Sequence, residues 1–195
     1  MVVEGDVAVR VTVLTVYEGE TPFLLGSGTL AGLLLRDPAG GDPPTSENGA
    51  DWDDEELHAW QAGYFQPYIS FDPTPLPEGP IDGLLWNEQD PIGPAHHGWQ
   101  EVPGGAQPIT IGFCRRVEGA DGSFEPLWLD GSTWRSPAVS QVALPTFAGP
   151  AEIGLTAGDE NGDDDVSATL DDLRIGLHPA GSITSCADAL EALGS

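Results

Sequence analysis

The sequence predicts an all-β fold, an antiparallel two-sheet jelly-roll sandwich, and three observations carry that prediction. The 26 Gly and 18 Pro are spread along all 195 residues, so turns interrupt the chain throughout. Periodic apolar segments rarely run beyond roughly eight or nine residues, the texture of short strands and not of long helices. Val7, Val9, Val11 and Val13 alternate with Ala8, Arg10, Thr12 and Leu14, the period-two pattern of a strand with one face on a core. The length suits one large all-β domain, and no segment reads as a linker or a fixed-period repeat.

Taken in order, Gly26-Ser27-Gly28 ends the first strand, and Leu30–Arg36 forms a second that Asp37-Pro38 closes. A Pro- and Gly-rich acidic loop runs from Ala39 to Asp51. Trp52–Gln61 reads as a short helix or surface loop, with Asp51 as N-cap and Leu57 and Trp60 on one side. Strands are expected at Tyr64–Phe71 and Gly83–Trp86, and a loop at Asp90–Gly105. Ile109, Ile111 and Phe113 alternate along the next strand, with Arg115 and Arg116 at its exit. Gly119–Gly122 is a turn, Leu127–Leu129 a short strand, and Asp130-Gly131 a tight hairpin before Thr133-Trp134. Ala151–Ala157 and Val166–Leu177 are the last strands, separated by an acidic turn over Gly158–Asp165. The sandwich thus spans 1–177 with a long loop insertion at about 38–107. The tail, 178–195, makes a short helix or tail capped by Ser185, with Ala187, Leu190 and Leu193 apolar.

Charge constrains the setting. Asp and Glu number 32 against six basic residues, all Arg, for a formal net charge of −26. A small domain is comfortable at a net charge of roughly 2–8, so self-repulsion here opposes the compact state at low salt. At about 1 M salt the screening length falls to about 3 Å and most of that repulsion is removed. The composition points to a halophilic source, the other reading being a GC-rich mesophile whose codon usage suppresses Lys. Nucleic acid is excluded as a partner, because there is little positive charge to neutralise phosphates.

Cys114 lies in an apolar run and Cys186 in the tail, and either a disulfide or two buried thiols fits them. No basic n-region or apolar h-region opens the chain, so no signal peptide is expected in it. No run approaches 18 apolar residues, and membrane insertion is excluded.

The succession Gly5-Asp6-Val7-Ala8-Val9-Arg10-Val11, Ala31–Asp37, Ile109–Phe113, Asp130-Gly131-Ser132-Thr133-Trp134, Ile153–Ala157 and Ala168–Ile175 resembles the concanavalin A-like lectin/glucanase superfamily. The likeness is to its non-catalytic appendage domains and covers most of residues 5–177 outside the insertion. It implies a jelly roll in which Trp134 packs on the sandwich and does not serve as a sugar platform. Members of the superfamily usually carry a further strand before the Gly-Asp segment, where this chain has Met1–Glu4. That departure implies an open sheet edge, to be filled by the C-terminal tail or by another chain.

Glucanases of this fold need a Glu-x-Asp-x-(x)-Glu pattern, with carboxylates about 5 Å apart in retaining enzymes. Glu4-Gly5-Asp6 lacks the third carboxylate, Glu88-Gln89-Asp90 runs into Pro91, and Asp51, Asp53 and Glu55 belong to a solvated acidic run. The chain is therefore expected not to be an enzyme. Asp159, Asn161, Asp163 and Asp165 place oxygen donors at alternate positions, as in the first half of a calcium loop, which makes structural calcium the one cofactor considered. The pattern breaks at Asp164, where Gly is expected. His96-His97 reads as two exposed imidazoles in a loop. Trp52, Trp60, Tyr64, Tyr68, Trp86 and Trp99 concentrate before Ile109 and are the candidate ligand-binding residues, since aromatic faces stack on sugars and anchor interfaces; core packing is the alternative.

The expectation that follows is a structural and binding module on a virion surface, a capsid decoration or tail-fibre protein of a virus of a halophilic host. Its partners would be other copies of itself, other particle proteins, or a glycan or receptor. A secreted carbohydrate-binding module of a halophile is the alternative, and a glucanase-like hydrolase the weakest reading. The charge argument predicts that the thermal midpoint rises between about 0.1 M and about 3 M NaCl as screening takes effect. A flat or falling midpoint in that series removes it.

Overall fold

The computed structural model describes residues 1–17, 28–38, 57–65, 81–89, 96–102, 107–137, 144–159 and 166–194. They form twelve strands and one helix. The strands are β1 (Val2–Val3), β2 (Asp6–Tyr17), β3 (Gly28–Arg36), β4 (Leu57–Phe65), β5 (Ile81–Gln89) and β6 (His96–Glu101), then β7 (Ile109–Glu118), β8 (Asp121–Asp130), β9 (Thr133–Arg135), β10 (Leu144–Thr146), β11 (Ala151–Asp159) and β12 (Val166–His178); α1 spans Cys186–Gly194. One sheet has the order β1-β11-β3-β4-β5-β6, the other β10-β8-β7-β2-β12, with β9 paired to β8. All pairings are antiparallel. The nesting of β2 with β12 and of β3 with β11 is the rolled-up pairing of a jelly roll.

The valine alternation of β2 does what its period requires. Val7, Val9, Val11 and Val13 are buried against Leu33, Leu35, Trp60 and Ala62 of the facing sheet, together with Ile111, Phe113 and Phe124. Burying such side chains stabilises by roughly 1.5–3 kcal/mol each. The Trp60 indole N–H donates to the Leu127 carbonyl at 2.9 Å across the core. β3 is interior to its sheet and buried on both faces, with Leu30, Leu33 and Leu35 each under 5% exposed, which is why its sequence is a continuous apolar run.

Several segments depart from the sequence reading, mostly in the region taken as a loop insertion. The helix expected at Trp52–Gln61 is replaced over Leu57–Gln61 by β4, an interior strand paired on both sides; two full ladders outweigh the spacing of Leu57 and Trp60. The strand expected at Tyr64–Phe71 is β4 displaced toward the N-terminus, and residues 66–71 lie outside the described residues. The loop expected at Asp90–Gly105 contains β6, so His96 and His97 sit in a strand and not in a loop. The insertion thus supplies three of the six strands of its sheet. The short strand at Leu127–Leu129 extends to the whole of β8, and Arg115 and Arg116 lie inside β7, not past its exit. The Asp130-Gly131 hairpin forms as expected, with Gly131 at φ 62°.

The tail covers a face, not an edge, which corrects the expectation drawn from the open sheet. Val2 and Val3 pair with β11, while α1 packs on the outer face of the second sheet over Ala8, Cys114 and Leu127. Ser185 caps the helix, its Oγ accepting from the Asp188 N–H at 3.3 Å. Leu190 is fully buried. Gly112 makes room beneath it, since a Cβ there would stand 2.9 Å from Leu190 Cδ2 and 2.8 Å from the Val9 carbonyl oxygen. Of the two cysteine alternatives the structure has the disulfide, Cys114 to Cys186, with Cα atoms 5.5 Å apart. Trp134 packs against the same cluster, as the resemblance implied, with the Arg10 guanidinium 5.9 Å from its ring centroid.

Asp6 joins this tail to β2 and β7 at one end of the second sheet. Its Oδ1 accepts from the Val117 N–H at 2.8 Å and the Gly181 N–H at 3.1 Å, and its Oδ2 accepts from the Ile183 N–H at 2.9 Å. Gly5, at φ 82°, turns the chain into this position; a Cβ there would lie 2.8 Å from the His178 carbonyl oxygen. Burial works to raise the Asp6 pKa, but the hydrogen bonds from backbone N–H groups, Ile183 first, outweigh it and hold the carboxyl below its ordinary value of 3.8.

Two outcomes follow. In the chain-entropy picture, a bridge across 72 residues contributes about 4 kcal/mol, so Cys186→Ser should lower unfolding stability by up to that amount in urea titrations. For Asp6 the native pKa is depressed, so its contribution is complete above the ordinary value of 3.8 and is lost as pH falls through the lower native value. Asp6→Asn should therefore be less stable than the parent at neutral pH by about 1–3 kcal/mol or more, the range for leaving buried donors poorly satisfied. The gap should narrow on titration well below pH 3.8, and a pH-independent gap would contradict the assignment.

Candidate functional site

The six aromatic residues expected to bind ligand do not form one surface. Trp60 is fully buried in the core, so it packs the sandwich and presents no platform. Tyr64 lies at the end of β4, half-buried, and shares the row of Trp60 because successive side chains of a strand alternate between faces. The backbone of Trp86 in β5 pairs with that of Trp60, and the backbone of Trp99 in β6 pairs with that of Leu85. Trp52 and Tyr68 lie outside the described residues, as do the side chains of Trp86 and Trp99.

The acidic run expected to hold calcium begins at Asp159, the last residue of β11. Asn161, Asp163 and Asp165 lie outside the described residues. Among the described residues there is no group of three His, Cys, Asp or Glu side chains placed to hold a metal ion.

The buried ionisable side chains were invisible to the sequence reading, and each is tied into the fold. Arg115 is fully buried; its guanidinium donates to the carbonyls of Gly5 at 3.0 Å and Phe147 at 3.2 Å and to that of Gly149, and lies over the Phe147 ring. Burial draws its pKa down, opposed by the negative charges of Asp6 and Asp37. Arg36 pairs with Glu152 at 2.6 Å. On the outer face, Asp172 receives Arg174 at 2.7 Å and Arg10 at 2.8 Å, and these two guanidinium groups, Arg174 first, hold its carboxyl below the ordinary range. Asp172 reaches them from a bulge, at φ 51°. Arg174 also donates to the Leu193 carbonyl at the end of α1. Arg116 pairs with Glu125 and Arg135 with Asp130.

His58 is the remaining buried group. Its ring stacks on Phe124 with centroids 4.5 Å apart and planes 9° from parallel. Burial pushes its pKa down to about 3, so the ring is a neutral imidazole at neutral pH.

No helix among the described residues is long and apolar enough to cross a membrane. No protein-family model matches the chain, and no curated protein matches it. Among solved structures, the chain is similar to a functionally unknown protein from Saccharomyces cerevisiae, with a TM-score of 0.51 and 14% identity over 91% of this chain and 72% of that one. At that identity the likeness concerns the fold: an all-β, antiparallel two-sheet sandwich.

Proposed function

We propose that the chain is a non-enzymatic display and binding module of the concanavalin A-like kind, borne on the surface of a virion or similar particle in brine. The observation that carries this reading is the fastening of the tail. A disulfide, the Asp6 clamp and the Arg174 contact to Leu193 all hold α1 against the sandwich. Disulfides persist in oxidising, extracellular settings, and a chain locked at both ends resists fraying there.

The buried charges support the same reading. A catalytic acid at neutral pH needs a raised pKa, whereas Asp6 is held low by backbone donors. The apolar residues exposed at the sheet ends, Leu155 at 48% and Leu177 at 62% on β11 and β12, offer contacts to neighbouring copies or other particle proteins. A secreted carbohydrate-binding module is the second reading, and the concentration of Trp and Tyr between Trp52 and Trp99 is what favours it.

Multi-angle light scattering in about 3 M NaCl, where charge repulsion is screened, should find symmetric oligomers or co-sedimentation with particles. Strong, specific glycan-array binding by a monomer, lost in Trp99→Ala, would replace display with the second reading. Release of reducing sugar from β-glucans would end both.

A further inference from the structure

One side of the sandwich is bounded by β12 in one sheet and by β11, with the two residues of β1 laid along it, in the other. The large apolar side chains exposed among the described residues gather there. Met1, Val2, Leu155, Leu173 and Leu177 all belong to this side, and only Leu14 and Val16, on the outer face of β2, do not. The two edges differ in protection. β12 is bulged between Asp171 and Arg174, and charges and bulges both blunt an edge against further pairing. β11 has no such device: its register with β3 is unbroken from Glu152 to Asp159, and it contains no proline.

β1 covers the outer edge of β11 only as far as Ile153. There the Met1 ammonium donates to the Ile153 carbonyl at 2.8 Å, and the Ile153 N–H donates to the Met1 carbonyl at 2.7 Å. Past Ile153, no described residue pairs with β11 on this side. Backbone groups alternate in direction along an antiparallel strand, so the N–H and C=O of Leu155 and Ala157 point the same way as those of Ile153, onto the bare stretch. Leu155 is opposite Leu33 and so belongs to the inward row, yet it is 48% exposed.

We propose that the bare stretch of β11 pairs antiparallel with the same stretch of a second copy, across a twofold axis at Thr156. The strand is complementary to itself in that register. Leu155 of each copy is opposite Ala157 of the other, so their outward N–H and C=O groups meet and exchange both bonds at each pair. A large inward side chain is thereby set against a small one. Gly154, Leu155, Thr156 and Ala157 carry no charge, which suits a contact between two chains that each bear a net charge of −26. β1 keeps its place, the contact is isologous, and it closes at two copies. This inference rests on the display reading and names one neighbour that the displayed chain contacts.

Sedimentation velocity over a series of protein concentrations, in about 0.5 M and about 3 M NaCl, tests it. A ladder this short predicts a reversible dimer, its fraction rising with concentration and with salt. Ala157→Pro removes an N–H that faces the bare edge and not β3, so the fold should stay intact by far-UV circular dichroism and thermal midpoint. Dimerisation should weaken by at least about tenfold, since each copy loses a donor. Leu14→Ser should leave the dimer unchanged. A chain that stays monomeric throughout overturns the pairing and leaves display to be judged by co-sedimentation with particles. A dimer indifferent to Ala157→Pro, or one lost in Leu14→Ser, assigns the contact to another surface and overturns it too. A monomeric parent whose co-sedimentation is abolished by Ala157→Pro gives the edge to a foreign strand instead.

Discussion

A single carboxylate, Asp6, is the constraint around which the rest of the sandwich is arranged. It opens β2, the strand that carries the valine row of the core, and it accepts from the backbone of β7 and from two residues beyond β12. Each partner lies more than half the chain away from Asp6 in sequence, so a side chain that satisfies all of them also fixes the register of β2 between its two neighbours. A one-residue slip would turn Val7, Val9, Val11 and Val13 toward solvent. The disulfide then repeats the same connection from β7 to the tail in covalent form. Anchored twice, α1 shields the part of the outer face formed by Ala8, Cys114 and Leu127.

Electrostatics explains why so few cations are enough. Each of the six arginines is engaged: five in ion pairs and Arg115 on backbone carbonyls. Three of those pairs tie strand to strand, Arg36 to β11, Arg116 to β8 and Arg10 to the β12 bulge, where Arg174 braces the same carboxylate from within the strand. Exposed pairs contribute little on their own, so their value lies in position more than number. With 32 acidic residues against six arginines, carboxylates outnumber their cationic partners, and their mutual repulsion weakens as added salt shortens the reach of each charge.

How much of this was legible follows from what each residue answers to. β2, β3, β7, β11 and β12 were readable because their burial patterns, one-faced or two-faced, are written locally in valine, leucine and isoleucine. The Ser185 cap and the Asp130-Gly131 hairpin were readable because turn and cap chemistry is local too. β4 and β6 were not. Their sequences, Leu57–Phe65 and His96–Glu101, mix His, Gln, Gly and Trp, and what makes them strands is the presence of a paired neighbour on one side or both. Trp60 was hard to place for the same reason. Whether it serves the core or the outside depends on ladder register, and register is a property of pairs of segments that no single segment contains. The burial of Asp6 and Arg115 was not legible because a lone Asp or Arg in a sequence with 32 acidic residues looks like surface until its backbone partners are placed.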